Sequence, residues 1–152
     1  MEIIEIKHRY TDYNLFRSEA ENIKHCVELA VNQHVDLRGA DFSKADLRSV
    51  DFRGVDLRYV DFRDADLQCV NLRSVDLKYA DLRGADLRGA DLNNVDVRRS
   101  DLRYVNLSGV DLNNVHLQYV NLRGADLRDI DLSNVDLCDE ELQSEYRKPL
   151  DK

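Results

Sequence analysis

From Val35 to Asp139 the chain is built of 21 consecutive five-residue units with no insertion, beginning VDLRG, ADFSK, ADLRS, VDFRG and VDLRY. With Leu or Phe taken as the centre of each unit, the centre is Leu 17 times, Phe at Phe42, Phe52 and Phe62, and Val at Val97. The residue two before the centre is Val 12 times and Ala seven times, with Ser100 and Ile130 as the others. The residue just before the centre is Asp in 17 units, and Asn71, Asn106, Asn121 and His116 fill the rest. This period excludes the common elements. Five residues advance an α-helix by about 500°, so the centres would drift by about 140° per unit and form no stripe. On a straight strand an odd step sends successive centres to opposite faces. Only a path that turns once per unit points every centre, and every small residue, the same way, and such a repeat means a solenoid.

A second period gives the length of one circuit. Every fourth unit the small position reads Val35, Val55, Val75, Val95, Val115 and Val135, while ten residues out of phase it reads Ala45, Ala65, Ala85, Val105 and Ala125. The last position repeats similarly, as Tyr59, Tyr79 and Tyr119 on one side and Asn94, Asn114 and Asn134 on another. A repeat of four five-residue sides follows, with just over five coils and, at ~4.8 Å between stacked strands, a rod ~25 Å long. All six glycines close a unit, where the chain must turn and a positive φ is expected, and the Asn residues there tolerate the same region.

These units resemble the pentapeptide repeat family, whose motif is A(D/N)LXX. Val outnumbers Ala at the small position here, which departs from that motif. The resemblance implies an all-β solenoid, a right-handed quadrilateral parallel β-helix. The expected division is an N-terminal cap over residues 1–34, the β-helix over 35–139, and a short C-terminal helix with a charged tail over 140–152. Glu2 to Arg9 alternate as a strand, Thr11 to Asn14 supply a turn, and Leu15 to Arg17 return as a second strand. Ser18 with Glu21 reads as a capping box opening a helix whose apolar face is Ile23, Val27, Ala30 and Val31. A solenoid's first coil has an open apolar end and an exposed edge, and this segment is expected to cover both. The predicted core ladder includes Leu37, Phe42, Phe52, Leu57, Phe62 and Leu77.

The charges bear on function. With 22 basic and 30 acidic residues the net charge is −8, which argues against a general nucleic-acid or anionic-membrane binder. No apolar run reaches the length of a membrane span and the first residues lack a signal peptide's pattern, so a cytoplasmic location is the expectation. Cys26, Cys69 and Cys138 suggest neither a disulfide framework nor a zinc site, and His8, His25 and His34 lack companions at ligand spacing. No metal or cofactor site and no catalytic residue is expected, since His116, the only His of the repeats, has no nucleophile in a triad-like arrangement. Stacked Asp side chains repel by roughly 0.9 kcal/mol per pair in water, so a column of Asp needs cations beside it. The residue after each centre supplies them. The four sides carry −1, 0, −2 and −2 between residues 35 and 139, whereas residues 105 to 139 carry two basic and six acidic groups.

The expected function is a non-catalytic scaffold that presents flat sides to a protein partner. The candidate contact surface is the side with Tyr59, Tyr79 and Tyr119 beside Arg38, Arg58, Lys78, Arg98 and Arg99, because aromatic and Arg residues are the usual interface anchors. Two alternatives remain at this point. Some members of the family resemble duplex DNA and bind DNA gyrase or topoisomerase IV, giving fluoroquinolone resistance, and the acidic C-terminal end permits that here. The other is nucleic-acid binding by stacking on the Tyr/Arg side. A monomer is expected ahead of a dimer through the C-terminal end, and the regularity of the run also admits a consensus-like origin.

Overall fold

A computed structural model describes residues 1–11 and 13–137 of the chain. The expected C-terminal helix, and Cys138, lie outside the described residues. Parallel bridges join residues twenty apart, from Asp41 with Asp61 to Asn106 with Asp126. Asp61 N donates to Ala40 O at 2.9 Å and Phe42 N donates to Asp61 O at 2.8 Å, and one unit later Asp66 N and Leu47 N repeat the pair. The chain is a β-helix solenoid in which each five-residue unit lies beside the unit four further on. Its backbone polar groups are thereby satisfied between coils.

Within each unit the chain turns after the centre. Val60 N donates to Leu57 O at 3.3 Å and Ala45 N to Phe42 O at 3.1 Å, and from Gly39 to Asp129 the third residue of each such turn has positive φ, whereas the expected Asn134 does not. That is the backbone demand of a type II turn. It is met by the glycines, and equally by Lys44, Ser49, Tyr59, Asp64, Cys69, Tyr79, Arg99, Tyr104 and other non-glycine residues, with φ between 56° and 63°. The expectation tied positive φ to Gly and Asn. The structure shows that the coil imposes it on whatever residue falls there, because stacking leaves no other path to the next side.

The core is the stacked centres and small residues. Leu37, Phe42, Phe52, Leu57, Phe62 and Leu77 are buried, and the three Phe rings pack together near the N-terminal end, Phe42 and Phe62 stacked at 5.6 Å. Ser100 takes a small position in this apolar column. Its hydroxyl donates to Leu77 O at 2.7 Å and accepts from Ala80 N at 3.2 Å, so it is buried with both roles satisfied.

The N-terminal segment forms strand β1 (Glu2–Lys7), strand β2 (Asn14–Ala20) and helix α1 (Ile23–Asn32). The strands pair antiparallel, Glu2 with Ala20 and Ile6 with Phe16. Ser18 is not a helix cap: it faces Ile4 inside β2, and α1 is capped four residues later by Asn22, whose side chain accepts from His25 N at 2.9 Å. The capping box fails because pairing with β1 claims Ser18 first, and Asn is as good a cap as Ser. Strand β1 also ends earlier than Arg9. His8 instead bridges Ala40, Arg9 N donates to Gly39 O at 2.7 Å and Asp41 N donates to Lys7 O at 2.8 Å, so the end of the hairpin pairs with the first coil's edge. Cys26, Val27 and Ala30 bury the inner face of α1. Among the described residues no helix is long and apolar enough to cross a membrane.

Candidate protein-interaction surface

The outer surface is governed by the residue before each centre. Where it is Asp, its side-chain oxygen accepts the backbone N–H two residues on, as Asp36 does from Arg38 at 3.1 Å and Asp96 from Arg98 at 3.1 Å. Asn71, Asn106 and Asn121 do the same for Arg73, Ser108 and Arg123. The Asp/Asn alternation of the motif is therefore a requirement for an acceptor on a short stem, which holds the turn. Reading the Asp column as charge alone missed this, although its interchange with Asn was the available signal.

Ten arginines after a centre use Nε and Nη2 as a fork on the carboxylate of their own unit; the Nη2 bond of Arg63 to Asp61 is 2.6 Å and that of Arg103 to Asp101 is 2.7 Å. A weaker link runs to the next coil, from Arg48 to Asp66 at 3.5 Å and from Arg83 to Asp101 at 3.7 Å. Each of these ten carboxylates is thus neutralised in its own unit first, and several of them across the stack second. The Arg48 fork holds the Asp46 carboxyl down at about 2, and Arg98, with help from Lys78, holds Asp96 at about 2.

Of the candidate surface, Tyr59 and Tyr79 are vertical neighbours, with ring centroids 5.0 Å apart and planes 6° from parallel. Arg99 lies over Tyr119 at 5.3 Å from its ring. Arg38, Arg58, Lys78 and Arg98 share this side, but each is bound to the Asp two before it. The column continues upward into the hairpin: a Cβ on Gly39 would stand 2.5 Å from His8 Nε2, so His8 occupies the place that a side chain at Gly39 would take. His8, which lacks companions at ligand spacing, seals this join. Leaning side chains explain other glycines too, since Tyr104 covers Gly124 and Asp64 covers Gly84.

Two residues escaped the sequence reading. Tyr104 is 65% exposed at the corner next to the Tyr column, and its position at the end of a unit was the signal for it. Arg9 reaches from the hairpin to Tyr59 O and Val60 O, both at 3.2 Å, and to Asp61 and Asp81 at 3.9 and 3.6 Å. Nothing in the local sequence marks it, because its partners are fifty or more residues away.

These features define a solenoid whose sides are flat, charge-paired and repetitive. The pentapeptide repeat family model matches in overlapping stretches from residue 33 to residue 134, and the chain belongs to that family. Among solved structures, it is 28% identical to a pentapeptide repeat protein, Rfr23, from the cyanobacterium Cyanothece 51142, covering 58% of this chain and 65% of that one with a TM-score of 0.41. It is 31% identical to alr5209, a pentapeptide repeat protein from Nostoc PCC 7120, over 71% of this chain and 82% of that one, TM-score 0.36. A match at 19% identity, over 70% and 83% of the two chains with a TM-score of 0.33, is QnrB1, a plasmid-mediated fluoroquinolone resistance protein. No curated protein sequence matches the chain.

Proposed function

We propose that this protein is a right-handed quadrilateral β-helix of about five coils that acts as a non-catalytic scaffold, binding a protein partner through its flat sides. The observation that carries the reading is the disposition of polar side chains. Among the described residues of the repeats, most Asp and Arg side chains are spent on each other and on the turns, in a repeated geometry. Among the described residues no group of three or more His, Cys, Asp or Glu could hold a metal ion. What the surface offers is area, with Tyr59, Tyr79, Tyr104 and Tyr119 exposed along it. In-cell crosslinking with the full chain, followed by identification of the crosslinked protein, tests this. One dominant, saturable protein product is expected, and recovery of none above a scrambled-repeat control overturns the scaffold.

One observation favours a second reading, that the rod imitates DNA for gyrase or topoisomerase IV. Asp91, Asp111 and Asp131 stack on one side with Asn93, Asn113 and Ser133 where other units carry Arg, so none of the three has a cation in its own unit. A gyrase supercoiling assay with added protein decides it, and unchanged supercoiling at high micromolar protein removes it. Base stacking on the Tyr column has less to support it, because Tyr59 and Tyr79 already turn a ring face on each other.

A further inference from the structure

Twelve arginines follow a centre, and ten of them are forked on the Asp of their own unit. The other two, Arg73 and Arg123, follow Asn71 and Asn121, whose side chains still hold the turn but offer no carboxylate. Arg99 differs again, because it occupies the turn position itself. Arg73, Arg99 and Arg123 have no ion pair among the described residues of the solenoid, and two of the three come together. The unit Val120 to Gly124 begins immediately after Tyr119, which lies beneath Arg99. It ends at Gly124, beneath the ring of Tyr104, where a Cβ would meet that ring at 2.6 Å. Tyr104 N donates to Arg123 O at 3.1 Å, which fixes the backbone of Arg123 beneath that of Tyr104. The side Val120 to Gly124 thus carries Arg123, with Arg99 at the corner where it begins; neither has an ion pair among the described residues, and two tyrosines that are 65% and 76% exposed bracket the side. The nearest carboxylate on the coil above, Asp101, is already held by Arg103.

We propose that Arg99, Tyr104, Tyr119 and Arg123 form a docking patch for a short acidic segment of a protein partner that carries carboxylates next to apolar or aromatic side chains. The proposal rests on the scaffold reading above and names its surface. A free guanidinium fork matches a carboxylate in shape as well as charge, and an Arg beside exposed Tyr is the usual composition of an interface anchor. Charge decides the class of partner. A long polyanion such as nucleic acid would run past the patch onto a chain of net charge −8, whereas a short acidic segment meets only the local cations. The same Asn for Asp exchange at Asn71 leaves Arg73 free without a tyrosine in its unit or in the units stacked on it, and that arginine serves as an internal control.

The test uses the full chain and a short fluorescein-labelled peptide of alternating glutamate and phenylalanine, followed by fluorescence anisotropy at low and at physiological salt. Binding is expected to weaken with salt, and to weaken about tenfold in the double variant Arg99→Gln with Arg123→Gln, while Arg73→Gln matches the parent. All three residues are exposed, and thermal melts check that the variants stay folded. No anisotropy change at hundreds of micromolar protein overturns the patch, as does equal binding by parent and double variant. A thymidine oligonucleotide bound in place of the peptide, with the same arginine dependence, overturns the partner class. A crosslinked partner retained equally by the double variant leaves the scaffold standing and removes the patch alone.

Discussion

Single residues in this protein are constrained mostly by the turn. Thirteen non-glycine residues at the ends of units sit at positive φ, a region that costs an L-residue roughly 1–2 kcal/mol, and the stack holds them there. Gly109 and Gly124 separate the two reasons for glycine. Both have positive φ, but a Cβ at Gly109 meets nothing within 4 Å, while at Gly124 it would meet Tyr104 at 2.6 Å. Gly109→Ala is therefore expected to cost about 1 kcal/mol in a denaturant titration, from backbone strain alone. Gly124→Ala should cost more, and the excess should vanish in a Tyr104→Ala background. A second prediction concerns the dual use of Asp. Asp96→Asn keeps the acceptor for Arg98 N and loses only the ion pair, whereas Asp96→Ala loses both, so chemical denaturation should rank Ala about 1 kcal/mol below Asn. The sequence made the ladder position of these residues plain. It did not show that the carboxylate's first task is to hold a backbone N–H, because that bond exists only once the turn is made.

At the scale of elements, the hairpin is fastened to the solenoid by few contacts of long reach. Arg9 bridges the buried Asp61 and the largely buried Asp81 and caps two carbonyls of the Tyr59 corner. Arg9→Met should cost about 1–3 kcal/mol, since Asp61 keeps Arg63 but loses its second cation. Hydrogen exchange at Asp41 N, which donates to Lys7 O, should speed up while the amide of Asp101 stays protected. Within the solenoid the one Val centre, Val97, lies in the wall of an enclosed apolar cavity of about 10 Å³ lined by Leu77, Leu92, Leu102 and Leu117 among others. Val97→Leu restores the regular centre and is expected to raise stability by up to about 1 kcal/mol, read as a higher Tm. The hairpin and the helix were legible from alternation and apolar spacing. Their boundaries were not, since β2 competes with the helix for Ser18 and Glu19, and the competition is settled by β1 pairing over a distance that local propensity does not register.

For the whole molecule the charge network makes stability depend on pH in the acid range. Asp46 and Asp96 are held at about 2, and arginine forks likewise lower the carboxyls of Asp36, Asp51, Asp56, Asp86 and Asp126. Folded carboxylates with lowered pKa bind fewer protons than the unfolded chain does, so their stabilisation is present above the unfolded value near 4 and is lost as pH falls toward 2. Denaturation midpoints should be flat from neutrality down to about pH 5 and then fall steeply, and removing the Arg98 charge with Arg98→Gln should shrink the Asp96 part of that fall to what Lys78 and the backbone N–H of residue 98 supply. High salt should soften the effect only partly, because Asp96 is largely shielded from solvent. The division between what the chain spelled out and what folding decided follows from range. The five- and twenty-residue periods determined the solenoid, the ladders of centres and small residues, and the placing of Tyr59 above Tyr79, because a repeat states the same local instruction many times and its geometry admits one solution. Which charges were spent and which were left over depended on where the coils brought them. Arg9 found Asp61 and Asp81, and Tyr104 settled on Gly124, through contacts between residues far apart in the chain that exist only when one coil lies on the next.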